Sequence, residues 1–400
     1  MVRDFTFEPG RGQMNKAPIP TIIVTVGTAL INNLKNDERK RFKKYVETPE
    51  AIEKALNSKE SINFIVSELL THDMSDKILG PEINSTSSLL QRGVISPDNM
   101  FLIVSDTIEG EFEGRILKRY FEHEKQKTRF KKVEIKRIEG LQSQDEHKFR
   151  NKGLRNLVCA FAEIIQAHDE VVINATGGYK AEIAYATVIG QSFEKPVYYQ
   201  FENFKTVIEL PPQPISLDFE FYLNARIFLK RLDKGSIDGK EYEEYRKALG
   251  KHAPVLDGLV ERISEMGKSL YCLSPMGKLF YEKCIYWWGK HKVELPEVIP
   301  PEEKKMPKIS DPTALKVKNF ERFLIKLVKE VPYIKEFHSI YANKDLPRIS
   351  HFRIEGENVV LVYSDGSRTA KAVIYTSARD IEQKRKVVED LNTRFEKELA

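Results

Sequence analysis

The chain has 400 residues, of which 41% are hydrophobic and 31% charged, a composition typical of globular rather than disordered or fibrous proteins. Its length predicts two or three domains, each long enough to bury a core. The net charge of +5 is too small to demand a nucleic-acid partner, although residues 313–400 hold 17 Lys or Arg against 13 Asp or Glu. No transmembrane-length apolar run and no signal-peptide pattern is present in the sequence, so we expect a cytoplasmic protein without a membrane partner.

Three cysteines lie far apart in the sequence, at Cys159, Cys272 and Cys284, with no CxxC pair and no histidine cluster beside them. This pattern argues against a disulfide framework and against a structural zinc site. We therefore expect a protein that binds neither a metal nor a permanent cofactor.

The N-terminal part of the chain is predicted to be an α/β domain. A loose polar tail at residues 1–17 is followed, over residues 18–215, by apolar strand-like runs that alternate with helical patterns. Helical stretches cover residues 37–56 and 154–167, and the proline-rich segment 210–214 ends the domain. The six strand candidates start near Thr21, Met100, Val133, Val171, Val197 and Val207.

Polar segments follow three of these strands, and the first and last of these segments also contain glycine. They are Thr25–Asn33, Ser105–Thr107 and Asn174–Lys180, the last of which reads NATGGYK. Ligands of open parallel sheets bind beyond the carboxyl ends of the strands where the strand order reverses, so the first and last segments are expected to flank one crevice. Helix N-terminal amides, hydroxyls and the Lys180 ammonium suit a phosphate-containing ligand. The spacing fits neither a P-loop nor a dinucleotide fingerprint, which makes ATP and NAD poor candidates.

These segments supply the candidate ligand-binding residues. They are Thr25, Gly27, Thr28, Asn32, Asn33, Ser105, Asp106, Thr107, Asn174, Thr176, Gly177, Gly178, Tyr179 and Lys180.

Together with Glu82–Ser85 and the hairpin formed by 197–201 and 207–212, these segments resemble a CARF domain, the CRISPR-associated Rossmann fold. The resemblance covers residues 18–215 in family order. It implies a Rossmann-like homodimer that binds a cyclic oligoadenylate, usually cyclic tetra-adenylate, across its two-fold axis. It also raises the possibility that the domain degrades this activator. A ring of linked phosphates is expected to require amides, hydroxyls and few carboxylates.

The pattern changes in residues 216–290. Helical patterns at 219–232, 241–249 and 255–266 precede a short strand and turn from Ser269, then a helix that ends near Trp288. Three short helices and a wing-like hairpin resemble a winged helix-turn-helix. Because the helices carry many carboxylates, we expect this module to act as a connecting spacer rather than to read DNA.

The last 88 residues are predicted to form a small α+β domain, which a proline-rich linker at 291–312 separates from the preceding module. An amphipathic helix at 314–330 is followed by strands at 351–355, 359–363 and 372–376, and by a long helix at 380–399. This order resembles the RelE toxins, which are ribosome-dependent mRNA endonucleases, and the resemblance covers about 75 residues within 313–400. It implies that mRNA and the ribosome are partners.

RNA cleavage by the 2′-hydroxyl needs proton transfer and positive charge at the phosphorane, but no metal. Arg353, Lys371 and Arg379 are the candidates for charge stabilisation, and His351 and Tyr375 for proton transfer. Side chains alternate along a strand, so His351 and Arg353 are expected on one face of the sheet.

Three alternatives compete with this interpretation. Arg246 and His252 have the spacing of the HEPN ribonuclease motif, which would give a CARF–HEPN enzyme that cleaves free RNA. Glu134 and Lys136 have the Glu-x-Lys spacing of a metal-dependent nuclease, although they lie inside the sensor domain. A CARF domain joined to a winged helix could also be a transcription regulator that responds to cyclic oligoadenylate.

Overall fold

The computed structural model describes residues 17–126, 128–142, 145–201, 206–211, 218–265, 267–290 and 292–399. Apart from Ala17, the predicted N-terminal tail lies outside these residues, as do residues 212–214 of the predicted stop segment. The chain divides into two compact units, residues 1–215 and residues 216–400.

The first unit is built on a six-stranded sheet with the order β3-β2-β1-β4-β5-β6. Its strands are β1 (Ile19–Thr25), β2 (Ile95–Ser105), β3 (Lys132–Ile138), β4 (Val171–Asn174), β5 (Val197–Tyr199) and β6 (Ile208–Leu210). Neighbouring strands pair in parallel except at the β5–β6 edge, which is antiparallel. This mixed α/β architecture with a parallel sheet confirms the predicted fold class of the unit.

Nine helices connect these strands within the described residues. They are α1 (Ala29–Lys35), α2 (Lys43–Val46), α3 (Pro49–Leu56), α4 (Lys59–Leu69), α5 (Gly80–Gln91), α6 (Ile108–Phe121), α7 (Glu146–Lys148), α8 (Leu154–Ala167) and α9 (Lys180–Ser192). The helical stretch predicted at 37–56 is two helices, because the Thr48 hydroxyl caps a new helix by accepting a hydrogen bond from the Ala51 N–H.

The strand order places β1 and β4 side by side at the centre of this sheet. From β1 the chain proceeds outward to β2 and β3, and then returns to the other side of β1 to form β4. The β1–β4 boundary is therefore the topological switch point, where ligands of such sheets bind. Residues Ile22, Ile23 and Val24 of β1 are fully buried, as expected for a central strand that is covered on both faces.

The second unit contains helices and two antiparallel sheets. Its elements are α10 (Phe219–Lys234), β7 (Ile237–Asp238), α11 (Gly239–Leu249), α12 (Ala253–Leu259), β8 (Val260–Glu265), β9 (Lys268–Leu273), α13 (Pro275–Lys290), α14 (Pro312–Leu315), α15 (Phe320–Glu330), β10 (Ile334–Ala342), β11 (His351–Glu355), β12 (Asn358–Ser364), β13 (Thr369–Thr376), α16 (Ile381–Arg394) and α17 (Glu396–Leu399).

A three-stranded sheet, β7-β9-β8, lies among helices α10–α13. The helix predicted at 255–266 is wrong in its second half, because Val260–Glu265 is a strand that pairs with β9. The hairpin turn contains Gly267 at φ +76, a conformation that favours glycine. The identification of this region as a winged helix-turn-helix stays a prediction.

The C-terminal sheet has the order β10-β13-β12-β11 with antiparallel pairing throughout. Three of its strands agree with the predicted ones, whereas β10 was not predicted. The helix expected at 314–330 is two helices, α14 and α15, since Asn319 adopts a left-handed conformation at φ +63. The final helical stretch is likewise divided, into α16 and α17.

The proline-rich segment before α14 lies against the C-terminal sheet and its first long helix. The Ile299 and Lys305 N–H groups donate to the carbonyls of Pro332 and Lys335, at 2.9 Å each. The ammonium of Lys304 donates to the carbonyl of Val328 at 2.9 Å. The segment is thus held by hydrogen bonds at several points along its length.

The edge strand β11 is covered by two asparagines from neighbouring helices. Asn392 of α16 accepts from the Phe352 N–H at 2.9 Å and donates to the Phe352 carbonyl at 2.8 Å. Asn224 of α10 accepts from the Ile354 N–H at 2.9 Å. Side-chain amides thereby satisfy backbone groups that an uncovered edge would leave open to pairing with another strand.

Replacing Asn392 with alanine should destabilise the second unit. The variant leaves the buried N–H and carbonyl of Phe352 without partners, at a cost of about 1–3 kcal/mol. Urea unfolding measures this change, and Thr393→Ala, at an exposed neighbouring position, is the matched control. Equal stability of the two variants would show that the Asn392 amide does not support β11.

Candidate functional site

The loops that follow β1 and β4 touch each other at the centre of the first sheet. The Thr25 hydroxyl donates to the Gly177 carbonyl at 2.6 Å. A Cβ atom on Gly27 would lie 2.8 Å from the Gly178 nitrogen, and one on Gly177 would lie 2.6 Å from the Thr25 carbonyl oxygen. Only glycine permits this approach, so the two predicted segments meet at the switch point. That a ligand binds between them stays a prediction.

Three buried glutamates lie behind the loops. Glu82 of α5 accepts from the Gly27 N–H at 2.9 Å, and Glu182 of α9 accepts from the Tyr179 N–H at 3.3 Å. Glu113 of α6 accepts from the N–H groups of Leu30 and Ile31, at 3.3 Å each. These carboxyl groups thus accept hydrogen bonds from backbone N–H groups just before α1, in its first turn and at the start of α9.

Burial raises the pKa of each of these three glutamates. The shift is largest for Glu113 and Glu182, and within the described part of the chain Glu82 Oε2 and Glu182 Oε1 have no hydrogen-bond partner. The expectation that the loops lie near few carboxylates is therefore wrong, because carboxyl groups already hold several loop amides. Glu182, three residues after Tyr179, has the spacing of a helix cap and could have been found from the sequence.

The predicted ligand-binding residues separate into an accessible and a buried group. Accessible or partly accessible side chains at the crevice are Thr28, Asn32, Thr176, Tyr179 and Lys180. Lys180 is the first residue of α9 and is exposed, so its ammonium can reach an anion at that helix N-terminus.

The buried group positions the loops instead of facing the crevice. Asn174 is fully buried, and its side-chain amide donates to the Ser85 hydroxyl at 2.7 Å while its Oδ1 accepts from the Thr176 hydroxyl at 2.6 Å. Thr25 is likewise fully buried. Asn33, which is partly exposed, donates to the Lys77 carbonyl at 2.7 Å.

The segment after β2 has its polar groups engaged locally. Thr107 accepts from the Gly110 N–H at 3.0 Å and so caps α6. Its hydroxyl lies 2.9 Å from that of Ser105, and Asp106 forms an ion pair with Arg137 at 2.8 Å. These contacts explain the residue types through the fold, and the role of the segment in ligand binding stays a prediction.

In the second unit, four of the five predicted catalytic residues lie on one face of the C-terminal sheet. Pairing places His351 across from Val362 and Lys371, and the opposite face holds the core that includes Phe352. Arg379 follows the end of β13, where its exposed side chain forms an ion pair with Glu297 at 2.5 Å. The face is thus shared, but the five residues do not form one cluster.

His351 is buried rather than available on this face. Its side chain lies against the ring of Phe228, with 5.4 Å between ring centroids, and its Nδ1 is 3.1 Å from the Ile349 carbonyl. Burial, helped by the nearby Arg353 charge, lowers the pKa of His351 to about 3. A substrate has no access to this imidazole in the structure, so its placement does not support the predicted proton-transfer role.

Two of the predicted cationic groups on this face are engaged by other groups. The Arg353 guanidinium donates to the Ala248 carbonyl at 2.7 Å, and Lys371 forms an ion pair with Glu355 at 2.5 Å. Tyr375 is more open, since 48% of its surface is exposed. Its ring centroid lies 4.4 Å from that of His338, a residue of the strand that the sequence analysis missed.

The residues of the alternative interpretations lie in structural settings. Arg246 of α11 forms ion pairs with Asp257 at 3.0 Å and Glu243 at 3.1 Å. His252 ends the helical turn that precedes α12. Glu134 and Lys136 belong to β3, where both side chains lie within ion-pairing distance of each other, at 3.9 Å.

Neither a metal-ligand cluster nor a membrane span is found among the residues that the structure describes. No group of three or more His, Cys, Asp or Glu side chains in that part of the chain is arranged to hold a metal ion. None of the helices described above combines the length and apolarity needed to cross a bilayer.

Comparison with known proteins points to CRISPR-associated proteins. Residues 77–213, within the first unit, match the model of the family described as CRISPR-associated protein (Cas_APE2256). No curated protein sequence matches the chain. The family match supports a CRISPR-associated role for the chain.

Two solved structures show weak similarity to the chain. One is Can2 from Sulfobacillus thermosulfidooxidans in complex with cyclic tetra-adenylate, at 10% identity and a TM-score of 0.24, covering 66% of this chain and 61% of that one. The other is protein VC1899 from Vibrio cholerae, at 9% identity and a TM-score of 0.25, covering 90% of this chain and 77% of that one. The chain thus spans 61% of the Can2 chain, and TM-scores this low do not establish a shared fold.

Glu182→Gln should change how stability depends on pH. The pKa of Glu182 is raised above 4.5 in the folded state, so the folded protein binds a proton that the unfolded chain has released. The stabilisation that this bound proton gives is therefore complete below the unfolded-state pKa of Glu182 and is lost as pH rises through the folded-state pKa. Glutamine does not titrate, so the variant should gain stability relative to the wild type as pH rises above 4.5 towards the folded-state pKa of Glu182.

Urea unfolding across this pH range measures the difference. The control is Glu163→Gln, which removes an exposed carboxylate from α8. If the stability difference between Glu182→Gln and wild type stays constant with pH, Glu182 does not titrate abnormally.

Proposed function

We propose that this chain is an accessory effector of a type III CRISPR system. Its first unit binds a cyclic oligoadenylate, with cyclic tetra-adenylate as the favoured ring, and its C-terminal sheet cleaves mRNA on the ribosome. The single observation that supports the proposal is the contact of the loops after β1 and β4 at the topological switch point, in a unit whose residues 77–213 match a CRISPR-associated family.

The chemistry of the crevice supports a phosphate-containing ligand. Lys180 supplies a positive charge at the N-terminus of α9, and Thr28 supplies a hydroxyl at the start of α1. The close glycine contact lets a ligand approach the backbone of both loops at once. A homodimer would present two such crevices to one ring, and its bound ring would also be placed for slow cleavage by the same unit.

The C-terminal sheet supports RNA cleavage through the residue types on its accessible face. Tyr375 offers an exposed aromatic ring, and Arg379 offers an exposed guanidinium just beyond β13. Such groups can bind a phosphodiester and stabilise the charge that develops when a 2′-hydroxyl attacks it. We expect this reaction to need no metal ion.

Activation requires that the ring bind the active state more tightly than the resting state, since a ligand shifts an equilibrium only by its differential affinity. The same logic makes binding and cleavage separable by mutation. Variants at the crevice should affect activation, and variants at the sheet should affect cleavage alone.

Lys180→Ala should weaken binding of cyclic tetra-adenylate. Removing one charge-assisted contact to a phosphate is expected to cost about 1–3 kcal/mol of binding free energy. Isothermal calorimetry measures this change. Lys132→Ala is the matched control. Lys132 begins β3, so it lies at the amino ends of the parallel strands, whereas the two loops lie at their carboxyl ends.

Binding of neither the four-membered nor the six-membered adenylate ring by the wild type would end the sensor proposal. Equal affinities of the two lysine variants would instead remove Lys180 from the site while leaving the sensor proposal in place.

Arg379→Ala should slow RNA cleavage in a translation extract supplied with cyclic tetra-adenylate. Losing one group that stabilises transition-state charge typically costs about 10²–10³ in rate. Cleavage by the wild type should persist under chelation of divalent ions when ribosomes are stabilised by polyamines, and the products should carry 2′,3′-cyclic phosphates. Ring binding by Arg379→Ala should be unchanged.

Arg246→Ala is the control for this experiment, because the ion pairs of Arg246 with Asp257 and Glu243 give it a structural explanation. A dead Arg246 variant beside an active Arg379 variant would favour the HEPN alternative. A strict requirement for Mg²⁺ or Mn²⁺ in the cleavage step would favour a metal-dependent nuclease.

A further inference from the structure

Strand β10 contains a bulge beside its exposed histidine. The pairing register of β10 with β13 shifts between His338 and Tyr341. Within this bulge Ser339 adopts a left-handed backbone at φ +48, which residues other than glycine rarely occupy. Bulges of this kind re-aim side chains and are frequent beside functional sites.

The bulge brings two side chains onto the same face of the sheet. Residues three positions apart in a regular strand point to opposite faces. Here His338 pairs with Val373 and Tyr341 pairs with Lys371, and these two partners are themselves two residues apart on β13. His338 and Tyr341 therefore both lie on the face that is opposite to the core.

A carboxylate and an aromatic ring fix the His338 imidazole on this face. Its Nε2 lies 3.1 Å from Oε1 of Glu336, and the ring of Tyr375 packs against it with 4.4 Å between centroids. Lys305 also binds Glu336, at 2.8 Å. Hydrogen bonds from Lys305 and His338 lower the pKa of Glu336. In the neutral tautomer whose Nε2–H donates to the Glu336 carboxylate, the lone pair of the imidazole is on Nδ1.

The part of the face formed by β10 and β13 is open, whereas the part formed by β11 is covered. His351 packs on Phe228, and Arg353 binds the backbone at Ala248. In contrast, 49% of the His338 side chain is exposed. A polymer that reaches this sheet therefore meets β10 and β13.

Two exposed tyrosines flank this histidine along the face. Tyr341 is 38% and Tyr375 48% exposed, and the Lys371 ammonium lies 5.9 Å from the centre of the Tyr341 ring. Exposed aromatic rings next to a cation are the usual platform for stacking single-stranded bases while a phosphate is held between them.

We propose that this face binds single-stranded RNA and that His338, oriented by Glu336, is the catalytic base of the C-terminal sheet. Tyr341 and Tyr375 stack the bases on either side of the cleaved bond. The inference rests on the proposed ribonuclease function, and it assigns the proton-transfer role to His338 instead of the buried His351.

The reaction balances without an added reactant. Nδ1 of His338 takes the proton of the 2′-hydroxyl while the O2′–P bond forms and the P–O5′ bond breaks. The proton then passes through water to the departing 5′-oxygen. The products are a 2′,3′-cyclic phosphate and a 5′-hydroxyl, and the imidazole returns to its starting state.

The test uses the full chain in a translation extract with cyclic tetra-adenylate and a defined mRNA. His338→Ala should reduce cleavage by about 10²–10⁴-fold, and added imidazole should restore part of it, because the small base can occupy the exposed position. A residue with a merely structural role would not be rescued in this way. Glu336→Gln should reduce cleavage less, and thermal unfolding should show that both variants remain folded.

His252→Gln is the matched control, because it alters another histidine of the same unit and should leave cleavage unchanged. Wild-type activity in His338→Ala, or a loss of activity that imidazole fails to restore, overturns the assignment of His338 while the ribonuclease proposal stands. Absence of activator-dependent cleavage by the wild type overturns both.

Discussion

The close contact between the loops after β1 and β4 is the constraint on which the first unit depends. Gly27 and Gly178 meet at the centre of the sheet, so the two strands must be neighbours and their loops must lack side chains there. The contact is held from behind by Glu82, whose buried carboxyl accepts from the Gly27 N–H. Burying an acid is costly unless it is hydrogen-bonded or protonated, so this support trades stability for loop position. Such a trade is common where a site must keep its shape before the ligand arrives.

The second unit uses a similar trade in a different form. Ser339 adopts a strained backbone, and the resulting bulge places His338 and Tyr341 on the same accessible face of β10. Strand β11, at the opposite edge of the sheet, has the opposite character, because helices cover it and bury His351. One sheet thus combines a covered half that stabilises the fold and an open half that can contact a large substrate.

The sequence predicted the elements whose patterns are regular. Buried parallel strands such as β1 and β4 are continuous apolar runs in the sequence, and the glycine-containing segments after them were correctly predicted to lie together. The sequence does not predict strand β10, because its bulge breaks the two-residue alternation. It predicts a helix over β8, because Val260 and Ile263 also fit a helical spacing. The support from Glu82 could not be foreseen, since its partner Gly27 lies 55 positions away. Likewise, no local pattern shows that a strand histidine will be covered by a helix.

The hydrogen bonds that Asn224 and Asn392 form with β11 couple this strand to helices α10 and α16. Helix α10 is connected to the edge strand β11 by the hydrogen bond of Asn224 and to α16 by the ion pair of Arg226 with Glu389, at 2.8 Å. It is also the first described element after the end of the first unit. A displacement of α10 would therefore be transmitted to β11 through Asn224 and to α16 through Arg226. The hydrogen bonds of Asn224 and Asn392 to β11 would limit how far the helix can move relative to this strand.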